Sequence, residues 1–254
     1  MKSLFLAIAG VLLSALPCIA QDNVDGFVGR IYKNARGEKL PYRLFIPQAY
    51  DRNRSYPMVL WLHGADGLGT DNLQQIVGDR APGSHLWTLA ENQSKYPAFV
   101  LAPQSPLQSV EGWASTSPTG LSRSMQLTLE LLESLKAEFH IDANRLYVGG
   151  QSAGGLGTWD LITKNPRMFA AAVIFCGRGF PDRAATVTKM PIWVFQGDND
   201  GRTTAVSREM IAAIRTAGGN PKYTEYKDVR HDVWNRAVKE PGLVDWLFTQ
   251  HKQP

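Results

Sequence analysis

The chain has 254 residues, 44% of them hydrophobic and 20% charged, with a formal charge of +4. These are ordinary values for a folded protein with one sizeable core, and they exclude both a disordered chain and a membrane array. Basic residues are scattered, with no Lys/Arg run and no aromatic-interleaved basic stripe. The pI near 9.1 therefore describes a solvated surface and gives no reason to expect a nucleic-acid partner.

The N-terminus reads as an export signal. Met1-Lys2-Ser3 is a short positive start, residues 4–16 are almost continuously apolar, and Cys18-Ile19-Ala20 presents small residues before polar Gln21. The run is too short to span a bilayer comfortably, so cleavage after Ala20 and a secreted or periplasmic protein without a stable membrane anchor are expected. Lipid attachment at Cys18 is the competing reading, against which Pro17 is a poor neighbour. Cleavage leaves Cys176 as the one cysteine, so no internal disulfide is expected. Residues 21–254 contain no linker or repeat and read as a single domain.

Within that span strands alternate with helices. Residues 27–32 and 42–46 are strand-like, joined by the turn Asn34-Ala35-Arg36-Gly37. Residues 57–62 form an unbroken apolar run, as expected of a strand buried on both faces. Residues 98–102, 146–148, 171–175 and 192–195 repeat it, and 222–226 reads as a last strand. Helical spacing marks 125–139, with Ser122 or Ser124 as N-cap, then 154–163, 207–217 and 243–250. This alternation predicts a mainly parallel sheet of about eight strands, covered by helices on both faces.

One strand runs directly into Gly150-Gln151-Ser152-Ala153-Gly154 and then into a helix. The G-x-S-x-G pattern alone is weak, but this context is that of a nucleophile elbow. There the chain turns so sharply that flanking side chains would collide, and the serine hydroxyl is lifted to a helix N-terminus. A serine nucleophile needs a base, and the base an orienting acid. After such an elbow the acid comes next, just beyond a later strand, and the histidine last. Gly197-Asp198-Asn199-Asp200-Gly201 comes after the strand at 192–196, making Asp200 the preferred acid and Asp198 its competitor. Of five histidines, His63, His85 and His140 precede the serine or the acid, and His251 lies in the tail. His231 alone comes after the acid in a loop before the C-terminal helix. Backbone N–H groups of Ala153, next to the serine, and Ala65, in the loop after residues 57–62, are the expected oxyanion donors.

These residues resemble the secreted carboxylesterase branch of the α/β-hydrolase superfamily, which includes polyhydroxybutyrate-depolymerase-like and feruloyl-esterase-like proteins. The similarity runs from Tyr42 to Trp246. It rests on Tyr42-Arg43-Leu44 with Pro47, Leu62-His63-Gly64-Ala65, Gly69-Thr70-Asp71-Asn72 and Ala102-Pro103-Gln104. It continues through 150–155 with Gly157-Thr158-Trp159, then 197–200, and His231 with Trp234. The resemblance implies an α/β-hydrolase fold and ester hydrolysis through Ser152, Asp200 and His231. The chain departs from it at Asp66-Gly67-Leu68, where relatives often carry Gly-Glu-Arg, and at Arg178, where glycine is common.

Only 177–190 separate two strands where this fold usually inserts a cap, so no cap domain and an open cleft for small, aromatic or polymer-linked esters are expected. Trp113 and Trp234 are candidates to rim it. No metal or cofactor motif is present: H-E-x-x-H, C-x-x-C and the P-loop are all missing. A serine peptidase and a non-catalytic binding protein are the competing readings.

Overall fold

The computed structural model describes residues 22–77, 82–106 and 112–252. The proposed export signal, its cleavage site and Cys18 lie outside the described residues. Among the described residues nine strands form one sheet: β1 (Asn23–Val24), β2 (Phe27–Lys33), β3 (Lys39–Phe45), β4 (Tyr56–Leu62), β5 (Phe99–Pro103), β6 (Ile141–Gln151), β7 (Ala171–Phe175), β8 (Ile192–Gly197) and β9 (Lys222–Tyr226). Their spatial order is β1-β2-β3-β5-β4-β6-β7-β8-β9. The first three strands and the β3–β5 pairing are antiparallel, and β5 through β9 run parallel. The helices are α1 (Pro82–Leu86), α2 (Ala90–Lys95), α3 (Arg123–Glu138), α4 (Ala153–Lys164), α5 (Arg202–Thr216), α6 (Trp234–Ala237) and α7 (Leu243–Phe248).

All seven residues of β4 are buried, and alternate ones feed different cores. Met58, Leu60 and Leu62 join the cluster that holds Leu131, Leu135, Trp159, Ile162 and Ile211 from α3, α4 and α5. Val59 and Trp61 join the opposite cluster with Trp87, Phe175, Trp193 and Phe248. Two buried faces explain why the strand is apolar without alternation. From β4 the chain passes first to β5 on one side and then, through α3, to β6 on the other. The crevice beyond the carboxyl ends of β4 and β6 is therefore the topological switch point, where open α/β sheets bind ligands.

The structure settles several details of the expected elements. Ser122 is the N-cap of α3, its hydroxyl accepting from Met125 N at 3.2 Å. Strand β6 begins at Ile141, earlier than its apolar portion suggests, because its first half carries Asp142, Asn144 and Arg145. Helix α5 begins at Arg202, where polar residues conceal the apolar periodicity. Short helices α1 and α2 and the edge strand β1 carry too few residues to establish a period. Between β7 and β8 stands only a 3₁₀ stretch, Pro181–Val187, so no cap domain is inserted there. Among the described residues no helix is long and apolar enough to cross a membrane. Cys176 is free and buried, and burial pushes its thiol pKa up.

One buried charge locks α4 to its surroundings. Asp160, fully buried, meets Lys164 Nζ at 2.6 Å and Arg183 Nη1 at 3.1 Å, and accepts from Ser115 N at 3.1 Å. Neutralising it leaves the nearly buried Lys164 ammonium without its counter-charge. Asp160→Asn is expected to lower stability by about 3 kcal/mol, read as a lower urea midpoint with unchanged denaturant slope.

Candidate active site

Leu62 of β4 lies beside Gly150 of β6, so the loop leaving β4 and the turn leaving β6 meet at one place. Ser152 comes directly after β6 with φ +53° and ψ −114°, a conformation that side-chain-bearing residues rarely adopt. Its own N–H donates to Phe175 O at 2.9 Å, and Leu156 N donates to its carbonyl at 3.0 Å. A Cβ on Gly154 would lie 1.9 Å from Leu62 O, and one on Gly150 would lie 2.5 Å from the Gly154 backbone. Glycine at both positions is what lets α4 start against the end of β4.

Ser152 Oγ stands 2.8 Å from His231 Nε2, and His231 Nδ1 stands 2.8 Å from Asp200 Oδ2. The carboxylate can only accept, which assigns the proton to Nδ1 and leaves Nε2 to accept the serine O–H. Asp200 Oδ2 also accepts from Gln196 Nε2 at 3.0 Å, and Asp200 N donates to Thr204 Oγ1 at 3.2 Å. Asp198 makes no such contact: its Oδ1 is buried without a hydrogen-bond partner among the described residues. The choice left open by the sequence thus falls to Asp200. The His231 loop packs directly on the end of β8, since a Cβ on Gly197 would come within 2.3 Å of the carbonyls of Val229 and Arg230.

A cleft of about 480 Å³ opens here, walled by Gly64, Ala65, Ser152, His231 and Trp234 among others. A Cβ on Gly64 would sit 3.6 Å from Ser152 Cβ, so the Gly64-Ala65 peptide passes close beside the nucleophile. Ala153 opens α4, where first-turn N–H groups have no partner within the helix. Trp234 lines the cleft and meets the His231 ring edge-on at 5.7 Å. Trp113 does not rim it: the residue is fully buried, its indole donates to His63 O at 3.1 Å, and its Cβ blocks any side chain at Gly157. An indole packed on both sides has no face left for a ligand.

His63, set aside in the sequence because it precedes the serine, holds the loop that carries Ala65. Its Nδ1 lies 2.6 Å from Gly64 O and its Nε2 3.0 Å from Ser105 N. Nδ1 must donate and Nε2 accept, so the ring is neutral. Burial lowers its pKa to about 4. Gly197, named in the sequence only as part of the run that holds the acid, and Gln196, the last residue of its strand, position the histidine loop and the acid. The Leu-His-Gly run at the end of β4 gave the signal for His63 and the strand-end run 197–201 that for Gly197, while nothing local marked Gln196.

A family model described as "Putative esterase" matches residues 34–236. The chain belongs to the esterase family. A solved thermostable esterase is 34% identical, with a TM-score of 0.83, over 89% of this chain and 64% of that one. A solved ferulic acid esterase shares the fold at 15% identity and a TM-score of 0.67, over 87% of this chain and 97% of that one. A bifunctional acetylxylan esterase/xylanase from Neocallimastix patriciarum is 24% identical over 169 residues, 66% of this chain and 22% of the relative. The chain thus spans about a fifth of that curated relative and under two thirds of the thermostable esterase.

The buried histidine makes this family member's stability depend on pH. The unfolded chain takes up the His63 proton near pH 6.5, the folded chain only near 4. Between those values the unfolded state binds more protons. The contribution is complete above pH 6.5 and is lost as pH falls toward 4, by about 3 kcal/mol in all. His63→Gln is expected to be less stable at pH 7 but to lose less on acidification. Urea unfolding of both proteins across pH 4–7 checks this; parallel curves would contradict it.

Proposed function

We propose that this chain is a serine carboxylic-ester hydrolase working through an acyl-enzyme. The reading is carried by one observation: Ser152, His231 and Asp200 stand in an unbroken hydrogen-bonded line, each step 2.8 Å, with the serine facing an open cleft. His231 Nε2 takes the hydroxyl proton as Ser152 Oγ attacks the ester carbonyl, and Asp200 stabilises the imidazolium that results. The backbone N–H groups of Ala65 and Ala153 hold the oxyanion of the tetrahedral intermediate. Collapse expels the alcohol, which receives its proton from His231. Water, deprotonated by the same imidazole, then releases the acid and restores the serine.

The short connection between β7 and β8 inserts no cap domain beside the cleft, which suits small, aromatic and polymer-linked esters. Trp234, on its wall, is the proposed contact for a flat acyl group or a sugar ring. Similarity to a ferulic acid esterase and an acetylxylan esterase supports the same substrate range. Residues 21–254 form one catalytic domain in this reading, since a single sheet gathers strands from residue 23 to residue 226.

Hydrolysis of 4-nitrophenyl esters tests the triad. Ser152→Ala and His231→Ala are each expected to lower kcat by about 10⁴-fold or more, and the double variant by little further. Asp200→Asn is expected to lower it by about 10²–10⁴-fold, and Asp198→Asn by less than about tenfold. A fluorophosphonate is expected to label Ser152; a protein that hydrolyses no ester and takes no label would be a binding protein instead.

Residues 1–20 are proposed to direct export, on the strength of the apolar run and of the small residues before Gln21. N-terminal sequencing of protein recovered outside the cytoplasm is expected to begin at Gln21. An intact Met1, or a chain beginning at a lipid-bearing Cys18, would overturn the assignment.

A further inference from the structure

A second cavity, of about 440 Å³, shares no lining residue with the cleft at Trp234 and reaches α4 one turn beyond the nucleophile. Part of its wall continues the elements that carry Ser152 and Asp200, and the rest comes from residues 114–116 and 178–180. Leu156 lies one helical turn past Ser152 and donates its N–H to the serine carbonyl. Arg178 comes after Gly177, whose Cα would lie 2.9 Å from any Cβ on Gly155. Arg202 comes two residues after Asp200 and starts α5. Ala114, Phe180 and Val206 supply further apolar wall, and Ser115 and Thr116 a polar edge.

Both arginines are exposed, and among the described residues neither guanidinium has a hydrogen-bond or ion-pair partner. Among the described residues no carboxylate lines the cavity. Of the acidic groups nearest in sequence, Asp200 is engaged by His231 and Gln196 and Asp182 by Arg183, while Asp198 is not among the residues lining the cavity and its Oδ1 is buried away from solvent. Two uncompensated cations thus line a largely apolar pocket that reaches α4 one turn beyond the serine. A guanidinium presents a planar fork of donors that matches a carboxylate, which a neutral group of the same shape does not satisfy.

We propose that this cavity is a subsite for a carboxylate carried by the ester substrate, with Arg178 and Arg202 as its recognition pair. The inference rests on the ester-hydrolase reading and specifies which esters are preferred: those with a negative charge a few atoms from the scissile bond. The apolar lining receives the carbon chain that joins the two.

Two matched ester pairs test it. Mono-4-nitrophenyl glutarate against its methyl ester places the charge on the acyl side; 4-acetoxybenzoate against methyl 4-acetoxybenzoate places it on the alcohol side. The readout is the ratio of kcat/KM, charged over neutral, in the unaltered protein and in Arg178→Gln, Arg202→Gln and the double variant. In one pair the ratio is expected to fall by about tenfold in the double variant, with intermediate losses in the single ones. It is also expected to shrink with added salt in the unaltered protein only. Ratios that are the same in all four proteins would overturn the subsite. A separate measurement does not depend on the chemistry: calorimetric binding of monomethyl glutarate to the Ser152→Ala protein. That affinity is expected to drop at least about fivefold when both arginines are replaced, and an unchanged affinity overturns the subsite. Absence of turnover on every ester would count against the hydrolase reading, while the binding measurement would still decide the subsite.

Discussion

The contact on which the rest of the structure depends is the one between Gly154 and the carbonyl of Leu62. A side chain of any size at residue 154 would occupy the space of that oxygen. Because nothing is there, α4 begins hard against the end of β4, and Ser152 is forced into its positive-φ turn. The strain at that residue is borne by the packing around it. Its N–H is held by Phe175 O from β7, and β6 is flanked by fully buried partners on both sides. A backbone so determined by its neighbours has no cheaper conformation to relax into, which is how a strained turn persists.

The base and the acid come from loops that pack with equal closeness. Gly197 lets the carbonyls of Val229 and Arg230 approach the end of β8, and Asn199 N donates to Val229 O at 2.9 Å. His231 is thereby carried to within hydrogen-bonding reach of both Asp200 and Ser152. Its ring is half-exposed, so its place is set by these backbone contacts and by Trp234, not by enclosure. Such preorganisation matters because hydrogen bonds already formed in the free protein need no reorganisation when charge develops on the imidazole.

His63 and Trp113 supply the support on the other side of the nucleophile. The histidine is neutral, fixed in one tautomer between Gly64 O and Ser105 N, and the indole caps the His63 carbonyl. Together they hold the Gly64-Ala65 peptide beside Ser152. The same loop region, with the short link after β7, leaves two openings near the serine. One is bounded by Trp234 and the histidine loop, the other by Arg178 and Arg202.

Much of this was legible in the sequence because it is written locally. Apolar runs such as 57–62 report burial on both faces of a strand, and alternation with helical segments reports a parallel sheet. Gly150 and Gly154 around Ser152 report a turn that only glycine can flank, and the order serine, acid, histidine reflects the order of the strands. The polar beginnings of β6 and α5 were obscured, since periodicity needs apolar residues to appear. The choice between Asp198 and Asp200, the burial of Trp113 and the role of His63 were not local matters. Each depends on which way a side chain points at the end of a loop, and that is decided by segments 30 or more residues away: His231 for the acid, Gly157 and His63 for the indole, Ser105 for the histidine. The sequence by itself determined the sheet, the elbow and the set of reactive residues, because steric and periodic constraints act between near neighbours. Only the tertiary structure decided which of those residues meet, because hydrogen-bond geometry at 2.8 Å is a property of packed loops and not of spacing along the chain.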